Sequence, residues 1–138
     1  MDFVYNDGGR AAAGFKGKTS DCVCRAIAIA TKIPYKDVYA IINSFGKNEK
    51  HKKKSSARTG VKKDTTRKIM EHFGFEWKPT MQVGQGCKTH LRANELPDGR
   101  IITSLSGHVA AVIDGVLNDT YDCSRGGTRC VYGYYVLR

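Results

Sequence analysis

No stretch of this sequence approaches the roughly 20 apolar residues that a membrane-spanning helix needs, so no such helix and no membrane partner is expected. The first twenty residues lack the apolar centre of a secretory signal, and a cytoplasmic protein is expected. Proline is scarce, with three residues in 138, and the apolar share of 41% lies far above that of a disordered chain. A folded body follows, and this length suits one domain, 1–138. There is no phosphate-loop pattern and no dinucleotide fingerprint; "DGGR" at 7–10 is only a weak likeness to a phosphate cradle. No cofactor is expected. Paired C-x2-C knuckles are missing too. Five cysteines at irregular spacing do not form a secreted disulfide framework, so reduced thiols are the expected state.

Acidic residues are scarce in one place above all. The net charge of +10 is concentrated in residues 47–63, "KNEKHKKKSSARTGVKK", which hold eight Lys/Arg against one Glu. This window reads as an exposed, mobile loop. Lys50, Lys52, Lys53, Lys54 and Arg58 are its candidate binding residues, for an acidic protein or for nucleic acid. It has no interleaved aromatics to stack on bases. Nucleic-acid binding would therefore be non-specific and strongly salt-dependent. The plain alternative is a solvated surface loop.

What is present is a set of short periodic segments. Residues 1–19 are glycine-rich and read as a loop with a short strand. Ser20 or Asp21 can cap a helix that runs to about Thr31. Pro34 opens a second helix, with Val38, Ile41, Ile42 and Phe45 at helical spacing and Gly46 as its C-terminal cap. Asp64 or Thr65 caps a third, closed by Gly74. "FEWKPT" reads as a strand and "CKTHLRANEL" as a short helix. "RIITSL", "HVAAVI", "VLNDTY" and "CVYGYYVLR" are β-branched or aromatic runs separated by turn residues. Helices first and strands after give an α+β fold, with N-terminal helices packed on a C-terminal antiparallel sheet.

Asp114-Gly115 is a two-residue hairpin signal. With these as turn residues, Ile113 faces Val116 and Ala111 faces Asn118. Strand alternation then puts His108 on one face with Asp119, a diagonal cross-strand neighbour, and turns Asn118 the other way. A carboxylate beside a histidine fixes its tautomer and supports the imidazolium. The stretch "DCVCRAIAIAT" places Cys22 in the first turn of a helix, where free N–H groups and the helix dipole favour thiolate. Cys24 lies roughly 200° around the helix at about 100° per residue, so the two cannot serve one partner. Cys22 is the better nucleophile, with the small Ala26 one turn on; Cys24 reads as core. A Cys–His–Asp set is suited to nucleophilic acyl chemistry.

A cysteine opening the first helix, a histidine starting a later strand and an acid on the next strand resembles the papain-like cysteine peptidase superfamily. The stretches "DCVCRAIAIAT" and "GHVAAVIDGVLNDTYDCS" carry the likeness, which is nearest to compact members of the bacteriocin-processing type. The chain is also similar to small proteins of tailed bacteriophages. The resemblance implies a papain-like fold, Cys22 as nucleophile, His108 as base and Asp119 as orienting acid, acting on a peptide, isopeptide or amide substrate. For a phage protein the target would lie in the host cytoplasm. Papain-like enzymes commonly place an oxyanion-hole glutamine shortly before the cysteine. None precedes Cys22 here, and Asn6, Thr19 or Ser20 is the candidate substitute, together with the Cys22 N–H.

Other readings of the same residues stand beside this one. Cysteine is often simply buried. Cys22, Cys24, Cys123 and Cys130 could supply four sulfurs to zinc, although the spacing matches no common zinc motif. A Cys123–Cys130 link across "SRGGTR" is a further option, disfavoured in a reducing compartment. Arg25 reads either as an internal salt-bridge partner or as a solvated arginine. The same fold without catalysis, binding through its lysine loop, is the second functional reading.

Overall fold

The computed structural model describes residues 1–50 and 52–138; His51, within the basic window, lies outside the described residues. The described chain is α+β. Its elements are β1 (Phe3–Tyr5), α1 (Cys22–Thr31), α2 (Tyr35–Lys47), α3 (Lys63–His72), β2 (Phe75–Pro79), β3 (Arg100–Leu105), β4 (His108–Ile113), β5 (Val116–Asp119) and β6 (Gly133–Leu137). The strands form one sheet in the order β1-β5-β4-β3-β6-β2. No helix among the described residues is long and apolar enough to cross a membrane.

Two features of the expected architecture need correction. The sheet is mixed, because β1 pairs in parallel with β5. A parallel neighbour requires a crossover, and the helical layer between the two strands provides it. The helices are also not gathered at the N-terminus: β1 precedes all of them, and α3 follows the basic segment at mid-chain.

The β4–β5 hairpin has the register read from the sequence. Ile113 pairs with Val116, Val112 with Leu117 and Ala111 with Asn118. Asp114 and Gly115 have φ of 48° and 80°, the left-handed pair that this two-residue turn demands. The β3–β4 hairpin closes over Ser106-Gly107, with Leu105 opposite His108. Buried Arg129 donates to the Ser106 carbonyl at 2.7 Å and steadies the turn that launches His108.

Each sheet face has its own apolar cluster. On one face, Ile102, Ala111, Phe75 and Tyr135 pack under α1, α2 and α3, against Ile27, Val38, Ile42 and Ile69. On the other, Ile101, Ala110, Val112 and Leu117 are covered by Leu91, Leu96, Cys123 and Val131 from the loops. Each fully buried isoleucine or leucine contributes about 1.5–3 kcal/mol. The alanines of α1 let it lie close on β4, its main partner strand.

Local expectations failed where tertiary contacts recruited the residues. Asp21 precedes α1 but makes no side-chain cap, because Arg25 and Tyr35 hold its carboxylate. Thr65 does not open α3, which begins at Lys63; its buried hydroxyl donates to Glu49. Gly46 is inside α2 rather than capping it. A Cβ there would meet the Ser55 carbonyl oxygen at 2.0 Å, so it is a close-approach glycine. The segment 87–96 forms only a 3-10 turn, Ala93–Glu95, because His90 bridges to Cys130 and Leu91 is buried.

The same bridge corrects the cysteine reading. Cys87 is disulfide-bonded to Cys130 across 43 residues, while Cys22, Cys24 and Cys123 are free. Bonds from Leu91 N–H to Arg129 O and from Val131 N–H to Thr89 O set the two segments side by side. The Cys123–Cys130 link and the four-sulfur set are therefore not formed.

The basic window is exposed only in part. Lys50 and Lys52–Lys54 are exposed, but Ser55 and Ala57 are buried. Glu49 accepts from the Ser55 N–H, the Ser55 hydroxyl and the Thr65 hydroxyl, and pairs with Lys62 at 3.6 Å. The Ala57 N–H donates to Asn43 Oδ1. These bonds tie the second half of the segment to α2 and α3.

Candidate functional site

Cys22 is the first residue of α1 and half-buried. The N–H groups of a helix's first turn lack intrahelical acceptors and present the positive end of its dipole. His108 opens β4 at the end of the sheet beside this helix terminus. Burial pushes the Cys22 thiol up, but the hydrogen bond and charge of His108, the Val109 N–H and the Arg25 charge outweigh it and hold the pKa below the ordinary value. For His108, burial disfavours the charged ring. Hydrogen bonds with Asp119, Cys123 and Cys22 prevail and move its pKa far up. Opposite shifts on two neighbouring groups that line the same cleft favour a thiolate–imidazolium pair.

Asp119 ends β5 and is buried. Its Oδ2 lies 2.7 Å from His108 Nε2, which leaves Nδ1 as the ring nitrogen for Cys22. Its Oδ1 accepts from Arg25 at 3.2 Å and from the Thr120 N–H at 2.7 Å. Burial raises the Asp119 pKa, yet the His108 bond, the Thr120 N–H and the charges of His108 and Arg25 bring it below the usual carboxylate range. Arg25 is buried and bridges Asp119 to Asp21. Asp21 also accepts from the Tyr35 hydroxyl at 2.6 Å and faces Arg10 at 3.6 Å. A buried chain of charges thus fixes the carboxylate that holds the histidine.

The other thiols differ from Cys22. Cys24 is fully buried, 3.8 Å from the Tyr35 carbonyl oxygen. Burial and the Asp21 charge push its pKa up to about 12. Cys123 lies 3.6 Å from Asp119 Oδ2. One donor atom each from His108, Asp119 and Cys123 lies within 4.8 Å of the others, a set with metal-ligand chemistry. The direct His108–Asp119 hydrogen bond and the Arg25 cation on the same carboxylate fit a proton-sharing cluster better than a metal centre.

Cys22 and His108 line a cleft of about 430 Å³. Its other walls include Ser20, Val61, Lys63, Arg67, Trp77 and Tyr135. A larger depression, about 950 Å³, lies against Ala28 and Ile29 of α1 and holds Asn6 and Asn118, bonded to each other at 3.2 Å. Asn6 thus lines a different depression from Cys22, and the Thr19 hydroxyl is bonded to the Arg58 carbonyl. Of the three candidates for an oxyanion donor, only Ser20 lines the cleft.

The structure thus brings Cys22, His108 and Asp119 together. It leaves Lys50, Lys52, Lys53 and Lys54 exposed on the surface, and turns the half-buried Arg58 toward the Lys16 carbonyl. Arg25, Asp21 and Cys123 join the site through partners distant in sequence; only the Asp21–Arg25 spacing of four was a readable signal. Comparison with known proteins gives no match: no family model, no curated protein and no solved structure is similar to this chain.

Proposed function

We propose that this protein is a thiol hydrolase of papain-like build that cleaves a peptide, isopeptide or amide bond. The observation that carries this reading is the Cys22–His108–Asp119 arrangement at the mouth of a cleft. The Cys22 thiolate attacks the substrate carbonyl carbon and forms a C–S bond. The His108 imidazolium gives its proton to the leaving nitrogen as the C–N bond breaks. Neutral His108 then takes a proton from water, whose oxygen attacks the thioester. Collapse releases the carboxylic acid and restores the thiolate–imidazolium pair. Asp119 keeps the ring oriented and stabilises its charged form. The Cys22 N–H and Ser20 are the oxyanion donors nearest at hand.

The test is the rate of iodoacetamide labelling at Cys22 against pH, in wild type and His108→Ala, located by mass spectrometry. Wild type should label fast and nearly independently of pH around neutrality. In His108→Ala the rate should fall about 30-fold at pH 7, because a thiol of pKa ~8.5 is only about 3% thiolate there. Its rise with pH should return to the ordinary thiol range. Cys24, with its pKa at about 12, is the internal control and should stay unlabelled. Slow, identical labelling of Cys22 in both proteins would overturn the reading.

A second reading, an inactive fold that binds nucleic acid or an acidic protein, draws on the exposed Lys50 and Lys52–Lys54. It requires binding that weakens steeply with salt and disappears when those lysines are replaced by glutamine.

A further inference from the structure

The cleft beside Cys22 has one sign of charge. Lys63 and Arg67 are one turn apart on α3, both are exposed, and both line it. No Asp or Glu is among its lining residues. Neither cation has an ion-pair partner within 4.0 Å among the described residues, in contrast to Lys62, which pairs with Glu49. Arg67 is nonetheless held in place. Its guanidinium lies over the Trp77 ring at 5.4 Å, and its charge reaches the neighbouring Tyr135. Trp77 and Tyr135 pack with ring centroids 4.7 Å apart and form an aromatic wall. Gly133 is needed behind that wall, since a Cβ there would lie 2.3 Å from the Trp77 ring. Of the nearby carboxylates, Asp21 and Asp119 are engaged with Arg25, and Glu76 with Lys78 and Arg138. Glu71, one turn beyond Arg67 on α3 and near enough to act on Tyr135, is exposed, lies outside the cleft lining and is not within 4.0 Å of either cation.

A guanidinium stacked on an aromatic wall and a neighbouring ammonium, neither in an ion pair, form a receptor for a carboxylate attached to an apolar chain. We infer that the cleft takes an acidic peptide segment, with a substrate carboxylate against Lys63 and Arg67 and adjoining apolar groups against Trp77 and Tyr135, next to the bond presented to Cys22. This inference rests on the hydrolase reading and adds its substrate class. A basic residue at the same position would meet two like charges and be rejected, so the cations also discriminate.

Three peptidyl acyloxymethyl ketones test it, alike except for Glu, Gln or Lys next to the ketone. The Cys22 thiolate displaces the carboxylate leaving group and forms a thioether, whose rate of appearance is read by mass spectrometry on the full chain. Each rate is divided by the iodoacetamide rate of the same protein, which removes differences in thiol reactivity. Wild type should favour Glu over Lys by about tenfold or more, with Gln between, and the ratio should shrink at high salt. The ratio should approach one in Lys63→Gln/Arg67→Gln and persist in Arg67→Lys. Equal rates for the three probes in wild type, with fast iodoacetamide labelling, would overturn the substrate class and leave the hydrolase reading standing. A Glu preference that survives in the double variant would overturn its assignment to Lys63 and Arg67. Slow iodoacetamide labelling at Cys22 together with no ketone adduct would remove the hydrolase reading and this inference with it.

Discussion

Asp119 and Glu49 are two carboxylates held in the same way and put to different ends. Each accepts several hydrogen bonds, faces a cation, and has its pKa below the usual range. The difference lies in the donors. Glu49 is bound by Ser55, Thr65 and the Lys62 ammonium. The two hydroxyls do not titrate near neutral pH, so Glu49 anchors the basic segment and does nothing more. Asp119 is bound by Arg25 and by His108, whose second ring nitrogen is left for a thiol at a helix terminus. A carboxylate network turns into candidate chemistry when one of its donors is itself a proton carrier facing a cleft.

Replacing the two carboxylates in turn should separate these roles. The largest effect is expected from Asp119→Ala. It removes the support of the imidazolium and leaves Arg25 buried with Asp21 alone. Cys22 labelling at neutral pH should fall at least about tenfold, and stability should drop by about 3 kcal/mol or more, measured by iodoacetamide kinetics and guanidinium unfolding. An unchanged labelling rate in folded Asp119→Ala would break the comparison on the Asp119 side.

Gly46→Ala attacks the Glu49 side through sterics. Alanine gains about 1 kcal/mol of helix propensity, but its Cβ would collide with the Ser55 carbonyl. A net loss of about 2–3 kcal/mol is expected in chemical denaturation. A stabilised variant would show that the segment carrying Ser55 yields easily.

Glu49→Gln should cost about 1–2 kcal/mol and leave the Cys22 labelling rate within about twofold of wild type. Its pH dependence sharpens the point. Burial raises the Glu49 pKa, but the Ser55 and Thr65 bonds and the Lys62 charge lower it to about 2. A depressed carboxylate contributes its stability above its unfolded pKa of about 4.3 and loses it as pH falls through the folded value. The stability gap between wild type and Glu49→Gln should therefore be full at pH 6 and close between about pH 4 and pH 2. A gap independent of pH would mean that the charge of Glu49 contributes nothing.

The smallest effect belongs to the exposed lysines. Lys52→Gln/Lys53→Gln/Lys54→Gln should change stability by no more than about 0.5 kcal/mol, because none of these side chains is buried. A larger loss would show that the first half of the segment is anchored as firmly as the second.

Much of the fold was legible where information is local. β3 and β4 have the bounds of "RIITSL" and "HVAAVI", and the Asp-Gly turn set the β4–β5 register, since only a left-handed pair closes so short a hairpin without splaying the strands. That register puts His108 and Asp119 on one face of the sheet. The helix read as starting near Ser20 or Asp21 begins at Cys22, within a residue or two, because the apolar run behind it marks the element even though the Asp21 side chain does not cap it. Signals of the same kind misled where a residue had a better partner elsewhere. Asp21 and Thr65 looked like caps and became members of buried polar clusters, and Gly46 looked like a stop and became a point of close approach.

The sequence by itself therefore determined the periodicities, the hairpin turn, and a cysteine at the head of a helix, because each depends on neighbours a few residues apart. Only the tertiary structure decided that Arg25 reaches Asp119 across 94 residues, that Cys87 meets Cys130, and that Lys63, Arg67, Trp77 and Tyr135 share a cleft with Cys22. The first and last arise from the crossing of α1 over β4 and of α3 over β2, and the disulfide from the loop segments that lie side by side at His90 and Cys130. They are set by which apolar faces bury one another, and no spacing along the chain records that choice.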